Sequence, residues 1–509
     1  MREHLESLLL ALGVGSLVAI GAKRLHVAYN VALVIMGLLL VVANVLPKTP
    51  LDPELILVVF LPVLVFEGSL FADADSLKDA KRPIFALAAP GVVISLLCTA
   101  AIATFALNLS FSSALLLGAL LAITDTVSVL LAFRSVRAPH RLVSIMEGES
   151  LFNDGTALVL LSVATNASLR GGFSSVEILR SLIVAIIGGV SLGAALGAVG
   201  TAILRRTPDH LTTILVSCVL VFTTSLLAER MHISSVIAVV VAGLAVGRAA
   251  RNLLEPAHVL ALQGFWETAG FALNVFLFLL VGMQIHPQML INEFGSIVVA
   301  LIALHVGRAV AVYGCLGSLC ALTREVIPLR WQHVMVAGNV KGALSMAAVL
   351  ALPEDVPSRD RLITIVYGVT FITLVTQALP FAKLLNLLKV TKAIPDATLE
   401  SARAARISAR RGQAELDELL ASGLISRKDH AEKQAMFQRT IIEADATVRA
   451  KLSPFTHNHL IDNFLFQARK AAVLDAARRG LISHDTAHKH VQDLDRTFVH
   501  LTTTPDQSC

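Results

Sequence analysis

EGESLFNDG, residues 147–155, places Glu147, Glu149 and Asp154 inside a stretch that otherwise reads as a membrane-crossing helix. Ionisable groups at that depth are costly, and by default they mark an ion or proton path. Glu149, Ser150, Asn153 and Asp154 fall at i, i+1, i+4 and i+5, so two carboxylates, a hydroxyl and an amide share one helix face. Their oxygens are hard donors, suited to a small cation and not to a soft metal. The competing reading is that Glu149 and Asp154 only cap a helix or pair with buried cations.

Composition supports the membrane setting without any motif. Hydrophobic residues make up 55% of the 509 residues and charged residues 16%, well under the roughly 25% of a soluble domain; mean hydropathy is +0.73. The five cysteines show no CxxC spacing, which supports neither a disulfide framework nor a zinc site. No A-x-A cleavage signal is apparent, so the first apolar stretch is read as a true span. A search for runs of about 17 to 25 apolar residues finds thirteen segments: 5–22, 29–46, 54–71, 84–107, 112–133, 142–168, 177–204, 211–228, 232–247, 258–285, 295–321, 332–352 and 361–388. Lys and Arg collect in alternate loops, as in Lys78, Lys81 and Arg82, then Arg205 and Arg206, then Arg248 and Arg251. Those loops are therefore expected on the cytoplasmic side, with the amino terminus outside and the carboxyl terminus inside. The pI near 9.0 follows from this bias and calls for no nucleic-acid partner.

Two further segments carry charge where lipid would exclude it. The fifth contains AITDTVSVL, residues 122–130, whose Thr124, Asp125, Thr126 and Ser128 are compatible with local unwinding. The twelfth contains AGNVKGALSMAAVLALP, residues 337–353, where Gly338, Asn339 and Gly342 weaken the helix around Lys341. Arg308 adds a second buried cation in the eleventh. Cations and carboxylates in one bundle imply pairing, since an unpaired buried charge costs about 3 to 5 kcal/mol. Segments five and twelve are seven apart. Two six-segment repeats, one to six and eight to thirteen, would thus be inverted relative to each other, with an interrupted helix at equivalent places, as at a transporter's midplane site.

At these residues the chain resembles the monovalent cation:proton antiporters, in the branch of bacterial sodium/proton antiporters and animal sodium/proton exchangers. EGESLFNDGTALVL is similar to that family's signature, and LPVLVFEGSL (61–70), AITDTVSVL, FWETAGFALNVFLFLLVG (265–282), GRAVAVY (307–313) and KGALSMAAVLALP (341–353) match in order. The resemblance implies an all-α polytopic membrane protein of about thirteen helices with two interrupted, crossing helices. It also implies a homodimer, with dimerisation helices and a mobile core that carries the ion by an elevator-like movement. By the same resemblance Asp154 is the carboxylate that takes either cation or proton, with Asn153 beside it. Asp125 and Thr124 are the unwound-helix residues, and Glu149 and Ser150 complete the binding set, with Na+ held at Asp154, Asp125, Ser150 and Thr124. Arg308, Lys341 and Glu67 form a structural charge network in which Arg308 pairs with Glu149. Two positions depart from the pattern: Thr126 replaces a proline and Lys341 an arginine.

These residues describe a secondary transporter and not an enzyme; no HExxH and no plausible pair of nucleophile and base occur in the spans. The expected exchange is of Na+, or Li+ or K+, for H+, by competition at Asp154, with no cofactor and with a bacterial inner membrane as the setting. Asn153 titrates no proton, which favours electroneutral exchange. A K+/H+ antiporter and a transport-inactive sensor acting through its tail are the alternatives. The chain divides into a transmembrane domain, 1–389, and a helical cytoplasmic tail, 390–509, open to a regulatory partner. Within the tail ELLASGLISRKDHAEK (418–433) echoes DAARRGLISHDTAHKH (475–490). Each copy reads as a helix ending at Gly423 or Gly480, then a serine, Ser426 or Ser483, capping the next. His430 and its neighbours are candidates for sensing pH, or are simply exposed.

Overall fold

Long apolar stretches become helices here because a backbone in hydrocarbon must satisfy its own hydrogen bonds. The computed structural model describes residues 13–18, 20–22, 24, 29–43, 53–125, 129–130, 132–133, 136, 138–170, 175–207, 209–285, 287–323, 325–390, 397–451 and 486. Among them the regular elements are all helical: α1 (Tyr29–Val42), α2 (Ile56–Phe71), α3 (Ala74–Asp79), α4 (Lys81–Leu107), α5 (Phe111–Ala122), α6 (His140–Arg170), α7 (Ser175–Leu204), α8 (His210–Arg230), α9 (Ser235–Leu253) and α10 (Pro256–Gln284). They continue as α11 (Pro287–Asn292), α12 (Phe294–Thr323), α13 (Leu329–Ala337), α14 (Ala343–Leu350), α15 (Arg359–Ala378), α16 (Phe381–Leu387), α17 (Ala397–Ala421) and α18 (Arg427–Lys451). Seven of these, α4, α7 to α10, α12 and α15, are long and apolar enough to cross a membrane, and α1, α2, α5 and residues 13–22 are shorter apolar helices. The 31-residue α6 is the helix that carries Glu147, Glu149 and Asp154.

Polar side chains start the helices where the sequence supplies them. Ser110 Oγ accepts from Ser113 N at 3.2 Å, Asp209 Oδ1 from Thr212 N at 2.9 Å and Ser234 Oγ from Ile237 N at 3.3 Å, each satisfying a donor left free in a first turn. Pro90 lies inside α4, where a π turn over Leu87–Gly91 accommodates it.

In the first compact unit, residues 1–392, two apolar cores form. One joins α1, α4, α5, α6, α12, α14 and α15 with the carboxyl-terminal half of α10. The other joins α2, α8 and α9 with Leu262 and Trp266 of α10. Trp266 is buried with its indole N–H satisfied, donating to Ser217 Oγ of α8 at 3.0 Å. Small residues bring backbones together, as expected where lipid supplies no hydrophobic drive between helices. Gly37 of α1 sits on Leu279 O of α10 while Gly282 of α10 sits on Val34 O of α1.

The second unit, from residue 393, contains an antiparallel hairpin of α17 and α18 with a small core of Ala402, Ala444 and Val448. α17 stops as its sequence indicates: Gly423 takes φ +75°, and Leu424 N donates to Leu419 O at 3.1 Å. Ser426 Oγ then accepts from Asp429 N at 3.1 Å to start α18. The second copy of that motif, with Gly480 and Ser483, lies outside the described residues, as do Thr126 and Ser128.

Candidate cation site

The site is built where two helices break and cross. α5 ends at Ala122, and Ile123 to Asp125 run without regular structure. α13 ends at Ala337, and the chain is irregular to Gly342 before α14 begins. Breaking two helices frees backbone groups, and each crossing partner accounts for one. Asp125 N donates to Val340 O at 2.8 Å. Asn153 Nδ2 donates to Ala122 O at 3.0 Å, and Thr124 N to Asp154 Oδ1 at 3.2 Å. Ile123 O accepts from Lys341 Nζ at 3.0 Å and from Ser345 Oγ at 3.3 Å. Lys341 N donates to Thr373 Oγ1 of α15 at 3.1 Å. The break at segment five thus coincides with backbone groups tied across to α6 and α14 rather than left unpaired. Gly342 allows the close approach: a Cβ there would lie 2.8 Å from Asp125 Cβ.

α6 presents its polar face to this crossing. Ser150 and Asn153 are buried, Asp154 half-buried, and Thr124 Oγ1 lies 3.4 Å from Ser150 Oγ. Asn153 also donates to Thr124 Oγ1 at 3.1 Å. Because Ala122 O can only accept, the amide orientation is determined, and Asn153 Oδ1 is left buried with no hydrogen-bond partner among the described residues. The crossing therefore gathers a carboxylate, an amide oxygen and two hydroxyls, a set of hard oxygens suited to a small cation. Charges bearing on Asp154 are Lys341, Glu149 and Asp125.

The cations of the network sit differently. Arg308 of α12 donates Nη1 to Glu149 Oε1 at 2.7 Å and Nη2 to Glu149 Oε2 at 2.9 Å, a bidentate pair, with Nε donating to Met335 O at 3.2 Å. Both side chains are buried, 8% and 4% exposed. Lys341 is fully buried, and its Nζ donates at 2.7 Å to Asn339 Oδ1 besides Ile123 O. Its acceptors are thus a carbonyl at the carboxyl end of α5, where the helix dipole is negative, and an amide. Glu67 of α2 is half-buried over Gly270 of α10, where a Cβ would meet its Cδ at 3.1 Å.

Sequence reasoning left unassigned the carbonyls of Ala122, Ile123 and Val340, the hydroxyls of Ser345 and Thr373, and the acceptor role of Asn339. Carbonyls carry no residue-specific signal. Ser345 and Thr373 are isolated small polar residues in apolar runs, a pattern that also suits ordinary helix packing.

The family model described as "Sodium/hydrogen exchanger, transmembrane" matches residues 8–387. The chain is 37% identical over 511 residues to the Na(+)/H(+) antiporter NhaS2 of Synechocystis sp., covering 97% of this chain and 93% of that one. It is 35% identical to the Na(+)/H(+) antiporter ApNhaP of Aphanothece halophytica over 74% of each chain. The fold is similar to that of the sodium proton antiporter MjNhaP1 from Methanocaldococcus jannaschii, with TM-score 0.64 and 22% identity over 76% of this chain and 98% of that one. With a family match that runs from the first apolar stretch to the end of α16, this chain belongs to the sodium/hydrogen exchanger family of membrane proteins.

Proposed function

We propose that this protein exchanges Na+ for H+ across a membrane by competition at Asp154. The observation that carries the reading is the crossing itself: Asp154 is held by Thr124 N beside the hydroxyls of Thr124 and Ser150, with Asn153 Oδ1, which has no hydrogen-bond partner among the described residues, on the same helix. An ionised carboxylate in such surroundings is costly, and either a cation or a proton relieves it. Occupancy by one excludes the other. If the loaded site crosses and the empty ionised site does not, cation moves one way and proton the other. In this reading Asp154, Asp125, Ser150 and Thr124 ligate the cation, and Asn153 contributes its amide oxygen. Glu149 stays neutralised by Arg308 and takes no part in the count. The relatives named as Na(+)/H(+) antiporters support Na+ as the cation.

The remaining parts of the reading are thirteen membrane crossings, a homodimer, a core that moves as an elevator, a bacterial inner membrane with the amino terminus outside, and a cytoplasmic tail that regulates. Exchange is electroneutral, because Asn153 carries no proton and the exchanging charge is that of Asp154 alone. The test is proton flux in proteoliposomes against Na+, Li+ and K+ in turn, repeated with valinomycin and potassium clamping the potential. Since the potential does work of about 2.3 kcal/mol per elementary charge per 100 mV, a rate that follows it would overturn one-for-one exchange. Flux with K+ alone would overturn Na+ as substrate, and no flux with any cation would favour a sensor.

A further inference from the structure

Several hydroxyls on the long helices turn back on their own backbone: Thr104, Thr156 and Thr165 each donate to the carbonyl four residues earlier. Ser345 does not. It is the third residue of α14, too early to have a full helical turn behind it. Its hydroxyl donates instead across the crossing to Ile123 O at 3.3 Å, 222 residues away in the chain. Lys341 Nζ donates to the same oxygen at 3.0 Å. Ser345, Lys341 and Ile123 are each 0% exposed, so the carbonyl is held in surroundings where a hydrogen bond counts for more than it does in water.

The oxygen they share belongs to the peptide group that joins Ile123 to Thr124. The other end of that group is the Thr124 N–H, which donates to Asp154 Oδ1 at 3.2 Å. A peptide group is planar and trans, so its C=O and N–H point in opposite directions. One rigid plate therefore stands between α14 and α6, with two donors on its oxygen and the carboxylate on its N–H. Donation to the carbonyl polarises the group and makes its N–H a better donor. We propose that Ser345 is a positioning residue for cation binding, acting with Lys341 through the Ile123–Thr124 peptide to aim Thr124 N at Asp154. Lys341 reaches Asp154 by the same plate, and Asn339 Oδ1, 2.7 Å from its Nζ, helps to hold the ammonium there. An N–H fixed on one carboxylate oxygen sets how the carboxylate is turned beside the hydroxyls of Thr124 and Ser150. Removing the Ser345 hydroxyl leaves the plate freer to tilt, so ligand geometry changes while every charge stays in place.

The proposal rests on cation binding at Asp154, so Asp154→Asn is measured beside Ser345→Ala and Ser345→Thr, all in the full chain. The readouts are the half-saturating Na+ concentration, from binding of radiolabelled Na+ in detergent at one pH, and the melting temperature without Na+. Ser345→Ala is expected to raise the half-saturating concentration about threefold, the lower part of the range for one hydrogen bond because this one is long. Ser345→Thr, which keeps the hydroxyl, is expected to return it to the parent value. A folded alanine variant with unmoved Na+ binding overturns the proposal, whether or not it melts lower, because a merely structural hydroxyl would change the melting temperature alone. A rise that persists in well-folded Ser345→Thr overturns the hydroxyl as its cause. Na+ binding that survives Asp154→Asn overturns the site reading and the proposal with it, whereas binding lost there but unmoved in Ser345→Ala overturns the proposal alone. Should the alanine variant not fold, Ser345→Cys, whose thiol is a weak donor, is expected to raise the half-saturating concentration about twofold, and an unmoved value overturns the proposal.

Discussion

Arg308 and Lys341 are both buried cations, yet they are compensated in opposite ways. Arg308 meets Glu149 fork to fork and spends Nε on Met335 O, which makes a closed pair of opposite charges between α12 and α6. Lys341 is held by neutral acceptors, Ile123 O and Asn339 Oδ1. A planar fork suits the first place and a compact ammonium the second. In the proposed exchange the difference separates a charge that builds the bundle from one that tunes the site. Glu149 is paired with Arg308, so on the proposed reading its loss is a matter of stability. Asp154 has a backbone N–H and the more distant charge of Lys341, which leaves room for an arriving ion or proton.

The sharpest way to break that division is Asp154→Asn. The amide oxygen can still accept from Thr124 N, so folding is expected to persist while cation-dependent proton flux disappears. Flux persisting in a well-folded variant would transfer the exchanging role to another carboxylate.

Glu149→Gln and Arg308→Gln test the other half. Each single change leaves a buried charge without its partner and is expected to destabilise by about 3 to 5 kcal/mol, read by thermal unfolding in detergent. The double variant is expected to lose less than the sum of the two, because the surviving charge is gone. Additive losses would show that the pair contributes no coupling.

Gly342→Ala probes the crossing without adding or removing a charge. Its new methyl would press on Asp125 Cβ and Cγ, at 2.8 and 3.1 Å, and overpacking of this kind costs about 1 to 3 kcal/mol. Exchange is expected to fall more than stability does, because the shift falls on the irregular segment that carries Thr124. Equal stability and unchanged exchange would mean the crossing tolerates a wider spacing.

The smallest effect is expected outside the bundle, at Asp73, which caps α3 by accepting from Asp75 N at 3.3 Å. Bonding from the Ser76 hydroxyl, with help from the Asp75 and Ser76 amides and Arg251, holds its carboxyl below the ordinary range. Such a depressed group contributes stability above its unfolded value and loses it as pH falls through the folded one. Asp73→Ala is therefore expected to cost about 1 kcal/mol at neutral pH, a difference that narrows below about pH 4. A cost independent of pH would assign the effect to helix propensity instead.

Much of the site was legible because it is written locally. Glu149, Ser150, Asn153 and Asp154 declare a shared face by their spacing alone, and Gly338 and Gly342 around Lys341 announce a weak helix. The absence of a proline at Thr126 raised the question of whether segment five breaks. It does break after Ala122, and the partners of the freed groups lie elsewhere in the chain: Asn153 takes the Ala122 carbonyl, Lys341 and Ser345 take that of Ile123, and Val340 receives the Asp125 amide. Nothing near residue 123 encodes those partners.

By itself, then, the sequence determined that the long apolar stretches are helical, that Glu149, Ser150, Asn153 and Asp154 share a helix face, the cap at Ser426 and the left-handed turn at Gly423, since each depends on residues within a turn or two of one another. Only the tertiary structure decided which acceptors hold Lys341, which way the Asn153 amide faces, and that Thr373 of α15 meets the Lys341 amide. These depend on backbone carbonyls and on contacts across more than a hundred residues in places, as between Lys341 and Ile123. A carbonyl is the same in every residue, so its availability follows from where a helix stops and what packs against it.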